Sequence, residues 1–360
     1  MNMYIIMMAA VLLIAPFMQG SSRNRKRYIQ ICCLIIFFVF GMRDVYSLGI
    51  DSASVYVRLF QEYGEFPWRQ IATQCENESR GYFYLMKLLY ELTGGNYQTS
   101  YAIYMGIIMA VFAWFVSRYS PDPVQSLVYF WGLLFVINLS DTMRQALAMI
   151  MLLPAFDAII QKKLIRYLLI MWVAYEFHAP ALIFLPAYWI ASMRVGRNYL
   201  LMLAAMLIFT YFYRESILDL MLSFYDTEIN DYDMRFLANK VLIMIVIIVA
   251  AMALRPPIYS QDRIYNILLQ FMGISIVLQT FASYNNTFER LANYYFQFAV
   301  VFIPLVFQRG RSRSLVLSPK MEDLVKYLGP WVFGAFGVWR FASNIESNEW
   351  AWLPYRFFFQ

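Results

Sequence analysis

Asn138-Leu-Ser-Asp-Thr-Met-Arg144-Gln-Ala-Leu-Ala148 stands between two long apolar runs, 123–138 and 142–161. Ser140, Asp141 and Thr142 all favour a helix N-cap, because a short side-chain oxygen can accept from the free N–H groups of the first turn. The chain after them is apolar down to Phe156. The stretch therefore predicts a membrane helix that starts here and carries Arg144 in its first turn. Unpaired N–H groups and the positive end of the helix dipole make that an anion site at the edge of a bilayer. An arginine in this position can also snorkel to lipid headgroups.

The whole composition agrees with a membrane setting. Of 360 residues 61% are hydrophobic and only 14% charged, and the mean hydropathy is +0.52. A soluble domain of this length does not look like that; a polytopic α-helical membrane protein does. The 28 Tyr, 31 Phe and 9 Trp suit interfacial belts and a sugar- or lipid-facing lining. The excess of Lys and Arg reflects the bias of inner loops, so no nucleic-acid partner follows from it. Cys32 and Cys33 lie in an apolar run and Cys75 in a polar one, which gives no disulfide framework and no metal site.

Apolar segments fall at 3–18, 29–42, 99–117, 123–138, 142–161, 164–178, 180–193, 198–213, 239–255, 264–282, 290–307 and 323–341. Several are shorter than the roughly 20 residues that span a bilayer, and 180–193 reads as a broken or re-entrant helix. Basic residues follow the first segment rather than precede it, so it reads as an uncleaved helix with its N-terminus outside. The proposed inner loops then hold Arg23, Arg25, Lys26 and Arg27, Arg118, Lys162, Lys163 and Arg166, and Arg309, Arg311 and Arg313, with few acids among them. About 12 spans with both termini outside satisfy the positive-inside rule. The expected organisation is one transmembrane domain over 1–360. It has long extracytoplasmic segments at 43–98 and 214–238.

Within the first of these, residues 81–92 are apolar on one face and contain Lys87 and Glu91. That run is too short and too charged to span and reads as an amphipathic helix on the outer face. This topology collects the polar residues on one side. They are Arg43-Asp44, Asp51, Glu78, Arg144-Gln145, His178, Glu289-Arg290 with Tyr294-Tyr295, and Tyr355. Each has a plainer reading. Arg43-Asp44 and Glu289-Arg290 can be ion pairs, Asp51 a turn former, His178 a cap before Pro180, and the tyrosines a belt. Histidine is nevertheless the side chain whose ordinary pKa lies nearest neutrality, which suits an acid–base group. There is no HExxH, no Walker loop and no GxSxG. Few ionisable groups lie mid-span, which speaks against an ion-coupled transporter.

Read in order, these motifs resemble the EpsG family of bacterial membrane proteins, a branch similar to the Wzy-type polysaccharide polymerases. The carrying residues are Gly41-Met-Arg43-Asp44, Gly49-Ile-Asp51 and Tyr56, then Glu78 before the 82–92 helix and Met143-Arg144-Gln145-Ala-Leu-Ala148. Phe177-His178, Phe288-Glu289-Arg290-Leu-Ala-Asn-Tyr294-Tyr295 and Pro354-Tyr355 follow. The family often has Thr where Ser52 stands, and His or Ser where Ala179 stands.

The resemblance implies a polymerase of exopolysaccharide, capsule or O-antigen in the bacterial inner membrane, on a scaffold akin to the GT-C glycosyltransferases. It would move a glycan from undecaprenyl pyrophosphate to a lipid-linked repeat unit on the outer face, with a chain-length regulator protein as a further partner. Arg43, Arg144 and Arg290 would hold the pyrophosphate, since guanidinium forks match phosphate oxygens. His178, Asp51 and Glu78 are the alternatives for a base. Asp44, Gln145, Glu289, Tyr294 and Tyr355 would line the substrate. The scheme requires no metal and no cofactor. A non-catalytic exporter or flippase of the same lipid-linked oligosaccharide is the competing reading.

Overall fold

The structure is a computed structural model that describes residues 2–18, 20–74, 79–193, 195–222, 234–255, 262–282, 286–308, 314 and 317–360. Among these the chain is helical, with a single isolated bridge between Arg43 and Phe357. It forms two compact units, one of residues 1–182 and 331–360 and one of 183–330.

The first unit contains α1 (Asn2–Ile14), α2 (Ser22–Gly41), α3 (Asp51–Glu65), α4 (Trp68–Gln74), α5 (Arg80–Thr93), α6 (Tyr97–Tyr119), α7 (Pro123–Gly132), α8 (Phe135–Asp141), α9 (Met143–Ile160) and α10 (Leu164–Phe177). Local chemistry sets many of these ends. Ser21 caps α2, and Asn96 caps α6 by accepting from Thr99 N–H. Asp122 accepts from the Val124 and Gln125 N–H groups at the start of α7, where Pro123 has no N–H to lose. Gly94 closes α5 in the left-handed region at φ +62°.

Helices α6 and α9 are long and apolar enough to cross a membrane. The pair α7–α8, bent by 60°, passes the same test as one broken span. Shorter apolar helices at 3–17, 179–190, 201–210, 240–254 and 263–279 match further expected segments. The protein is therefore a membrane protein. At one end of the unit Asp157 of α9 pairs with Arg118 of α6 (2.8 Å) and Arg166 of α10 (3.2 Å), which ties three helices together. At the other end lie Arg43, Asp44, Asp51, Arg144, Gln145 and His178 from the set singled out in the sequence.

The 43–78 stretch, expected as a long loop, instead contains α3 and α4. Its period was present in the sequence: Ser52, Tyr56, Phe60 and Gly64 recur every four residues and form the buried face of α3. That face packs on α5, with Tyr63 stacked on Phe83 (4.0 Å between centroids) and Tyr56 edge-on to Tyr82 (5.7 Å). The amphipathic helix expected at 81–92 is α5. Its Lys87 donates to the Gly64 carbonyl (2.8 Å) and pairs with Glu91 (3.0 Å), placing a cation at the C-terminus of α3.

The second unit contains α11 (Ala187–Ile190), α12 (Arg197–Leu222), α13 (Met234–Leu254), α14 (Arg263–Gln279), α15 (Asn286–Phe296), α16 (Ala299–Val306) and the first part of α17 (Pro319–Ser347). The short 180–193 segment is broken as its length suggested, into a 3-10 stretch over Ala179–Phe184 followed by α11. The expected run 290–307 is also split, between α15 and α16.

Candidate functional site

The first unit gathers the N-termini of α3, α5, α6 and α9 with the ends of α2, α8 and α10. Asp141 organises this end. It was expected to cap the helix that follows it, but its carboxylate caps α3. It accepts from Asp51 N–H (3.2 Å), Ser52 N–H (3.0 Å) and the Ser52 hydroxyl (2.8 Å). Thr142 stands at the cap position of α9 without a side-chain cap bond, because its hydroxyl donates back to the Asn138 carbonyl (2.8 Å).

Arg43, expected to face a phosphate, is completely buried. Its Nη2 donates to the Ser52 hydroxyl (2.8 Å), the Tyr101 hydroxyl (2.9 Å) and the Ser140 carbonyl (3.0 Å). The guanidinium lies over the ring of Trp352 at 4.0 Å and that of Tyr101 at 5.1 Å. Its Nε and Nη1 have no hydrogen-bond partner among the described residues. The C-terminal segment closes over this arginine. Asp44 N–H donates to the Arg356 carbonyl (2.9 Å), Gly49 N–H to the Ala351 carbonyl (3.0 Å) and Phe358 N–H to the Met42 carbonyl (3.2 Å).

Arg144 differs. It is half-buried in the first turn of α9, and its backbone N–H points at the Tyr56 hydroxyl (3.5 Å). Its Nε is buried with no partner among the described residues, and so is the Tyr82 hydroxyl. Burial pushes the Tyr56 phenol above its ordinary pKa, with the Arg144 charge pulling it back; burial pushes Tyr82 well above it. Both are neutral hydroxyls at physiological pH, able to donate to an anion. Arg144, Tyr56 and Tyr82 thus make one cluster of donors from three helices.

His178 ends α10, its N–H donating to the Ala174 carbonyl (3.0 Å). Close by, α5 and α10 nearly touch: a Cβ on Gly81 would lie 2.9 Å from Glu176 Cβ. A cleft lined by Ser79, Arg80, Tyr175 and Glu176 opens there. Asp51 is the first residue of α3 and Gln145 is buried in α9. Asp44 closes its own turn by accepting from Tyr46 N–H (3.1 Å) and the Ser47 hydroxyl (2.6 Å). The Tyr355 hydroxyl donates to the Val39 carbonyl (2.8 Å). Glu78 lies outside the described residues.

In the second unit Glu289, Arg290 and Tyr294 sit on α15. Glu289 pairs with Lys240 of α13 (2.8 Å), which also donates to Asn293 (2.6 Å). Arg290 is exposed and Tyr294 is buried. Lys240, Tyr82, Tyr101 and Trp352 were not singled out as site residues from the sequence, and Ser52 was noted only as standing where the family often has Thr. No three His, Cys, Asp or Glu side chains gather into a metal site among the described residues.

The sequence profile of the EpsG family matches residues 28–357. No curated protein and no solved structure matches the chain.

Proposed function

The chain belongs to the EpsG family, and from that membership we propose that it is a membrane polysaccharide polymerase of the Wzy type. The observation that carries the reading is Arg144. It lies in the first turn of a spanning helix, with a buried unpartnered Nε and two neutral phenols beside it.

In this reading about 12 spans, allowing for broken helices, cross the bacterial inner membrane with both termini outside. The substrate is an oligosaccharide on undecaprenyl pyrophosphate, met at the outer face of the bilayer. Arg144 and the Tyr56 and Tyr82 hydroxyls bind phosphate oxygens; Arg290, exposed on α15, is by itself a proposed phosphate ligand of the second unit. Charge that develops as the glycosyl–phosphate bond breaks is stabilised by these preorganised donors. The acceptor hydroxyl attacks the anomeric carbon and lipid pyrophosphate leaves. The hydroxyl proton passes to a base, with His178, Asp51 and Glu78 as the alternatives. Gln145, beside Arg144, contacts the substrate, and the polar groups of Asp44 and Tyr355 border it; in the second unit Glu289 and Tyr294 are proposed substrate-lining residues in their own right. A GT-C-like scaffold, a chain-length regulator as partner, and independence of metal and cofactor complete the proposal.

Purified protein given lipid-linked repeat units should produce a ladder of longer glycans, and Arg144→Ala should abolish it. A full ladder from that variant removes Arg144 from the site. The second reading, an exporter of the same oligosaccharide, draws on the 60° bend between α7 and α8 and the break between α15 and α16, since transporters use discontinuous helices. Liposomes that translocate the substrate without lengthening it would favour the exporter.

A further inference from the structure

We infer that Arg43 is a positioning residue: through Ser52 and Asp141 it locks the first turn of α3 to the last turn of α8, directly before α9, and so aims Arg144. The inference rests on the polymerase reading for the task of Arg144.

Arg43 is fully enclosed, and its bonded Nη2 points at protein acceptors. One of these is the Ser140 carbonyl, four residues before Arg144 and in the last turn of α8. Another is the Ser52 hydroxyl, which itself donates to Asp141 Oδ1 at 2.8 Å. Arg43, Ser52 and Asp141 therefore form a relay in which the guanidinium donates to a hydroxyl that donates to a carboxylate. Cation and anion hold each other through one oxygen, and the same carboxylate caps α3. Tyr97 adds a strut from α6, its hydroxyl donating to the Ser52 carbonyl (3.0 Å). The anion donors follow directly on the elements the relay joins: Tyr56 is one turn into α3, and Arg144 is in the first turn of α9, which begins two residues after Asp141.

Gly49 shows how closely the relay is fitted. It has φ +93°, and a Cβ there would lie 2.3 Å from Ser52 Oγ, 2.7 Å from Asp141 Oδ1 and 2.8 Å from Arg43 Nη1. All three members of the relay crowd one Cα, where only glycine fits. The Trp352 ring at 4.0 Å covers the other side of the guanidinium. A loop, three helices (α3, α6 and α8) and the C-terminal segment meet at one buried side chain. A guanidinium suits this task because its planar fork bonds and stacks at once, which an ammonium cannot do.

The test is a double-mutant cycle on the full chain, with Arg43→Lys, Ser52→Ala, Arg144→Ala and the two pairwise combinations with Arg144→Ala. Ladder synthesis and binding of inorganic pyrophosphate are both measured. Ser52→Ala removes one hydroxyl and serves if Arg43→Lys folds poorly. Positioning predicts that each lock variant lowers kcat about tenfold or more with Arg144 present, that KM moves less, and that each weakens pyrophosphate binding in the parent but adds no further loss of binding in the Arg144→Ala background. Equal losses with and without Arg144, or a raised KM at unchanged kcat, would overturn the inference. If pyrophosphate binding shows the coupling but no ladder forms, the inference stands and the polymerase reading fails. A ladder with additive losses has the reverse meaning.

Discussion

Tyr82 carries a stability cost that the reaction would explain. A buried hydroxyl without a partner destabilises a fold by about 1–3 kcal/mol, and Tyr82 has none among the described residues. Tyr82→Phe should therefore leave the protein at least as stable at neutral pH while glycan synthesis slows. Alkaline pH separates the two forms further. Burial raises the folded pKa of Tyr82 well above its ordinary value of 10.0. The folded chain thus keeps a proton that the unfolded chain releases above about pH 10, so rising pH favours unfolding. Thermal midpoints followed from pH 8 to 11 should fall less for Tyr82→Phe than for the parent. A variant that is less stable at neutral pH would mean that the hydroxyl has a structural partner. Neither Arg43 nor Tyr82 could be placed from the sequence. An arginine after an apolar helix reads the same whether it reaches outward to a lipid or inward under Trp352, and the partners that decide lie 58 to 309 positions away along the chain.

Elements were far more legible, because their signals are local. Asn96, Asp122 and Asp262 cap α6, α7 and α14 within a few residues of where the apolar runs at 99–117, 123–138 and 264–282 begin. Helix α3 escaped attention because its buried row is tyrosine, phenylalanine and serine on a chain that is otherwise polar, which resembles an outer loop. Its contact with α5 depends on Gly64. A Cβ there would lie 2.1 Å from Tyr90 Cδ2 and 2.4 Å from Tyr90 Cγ, near the root of a ring that cannot simply swing away. Gly64→Ala should destabilise the protein by about 1–3 kcal/mol. Thermal unfolding in detergent would measure this, and adding Tyr90→Leu should recover part of the loss. An unchanged midpoint in Gly64→Ala would show that α3 and α5 do not pack this closely.

Across the whole molecule, sidedness ties the donor cluster to its substrate. Gln61, exposed on α3, should be outside in the proposed topology, and Lys162, exposed between α9 and α10, inside. In a background with Cys32, Cys33 and Cys75 replaced, Gln61→Cys should react with a membrane-impermeant maleimide in intact cells, and Lys162→Cys only after lysis. The opposite pattern would put the Arg144 cluster on the cytoplasmic face and end the outer-face proposal. The sequence by itself determined that this is a helical membrane protein. It also placed most of the helices and put the EpsG motifs in order, because hydropathy and capping act over a few residues. Only the tertiary structure decided that Asp141 caps α3 instead of the helix that follows it, that Arg43 is enclosed, and that Arg144 lies beside two phenols. Those facts depend on which distant segments pack together, and a buried charge takes its role from the partners that packing brings to it.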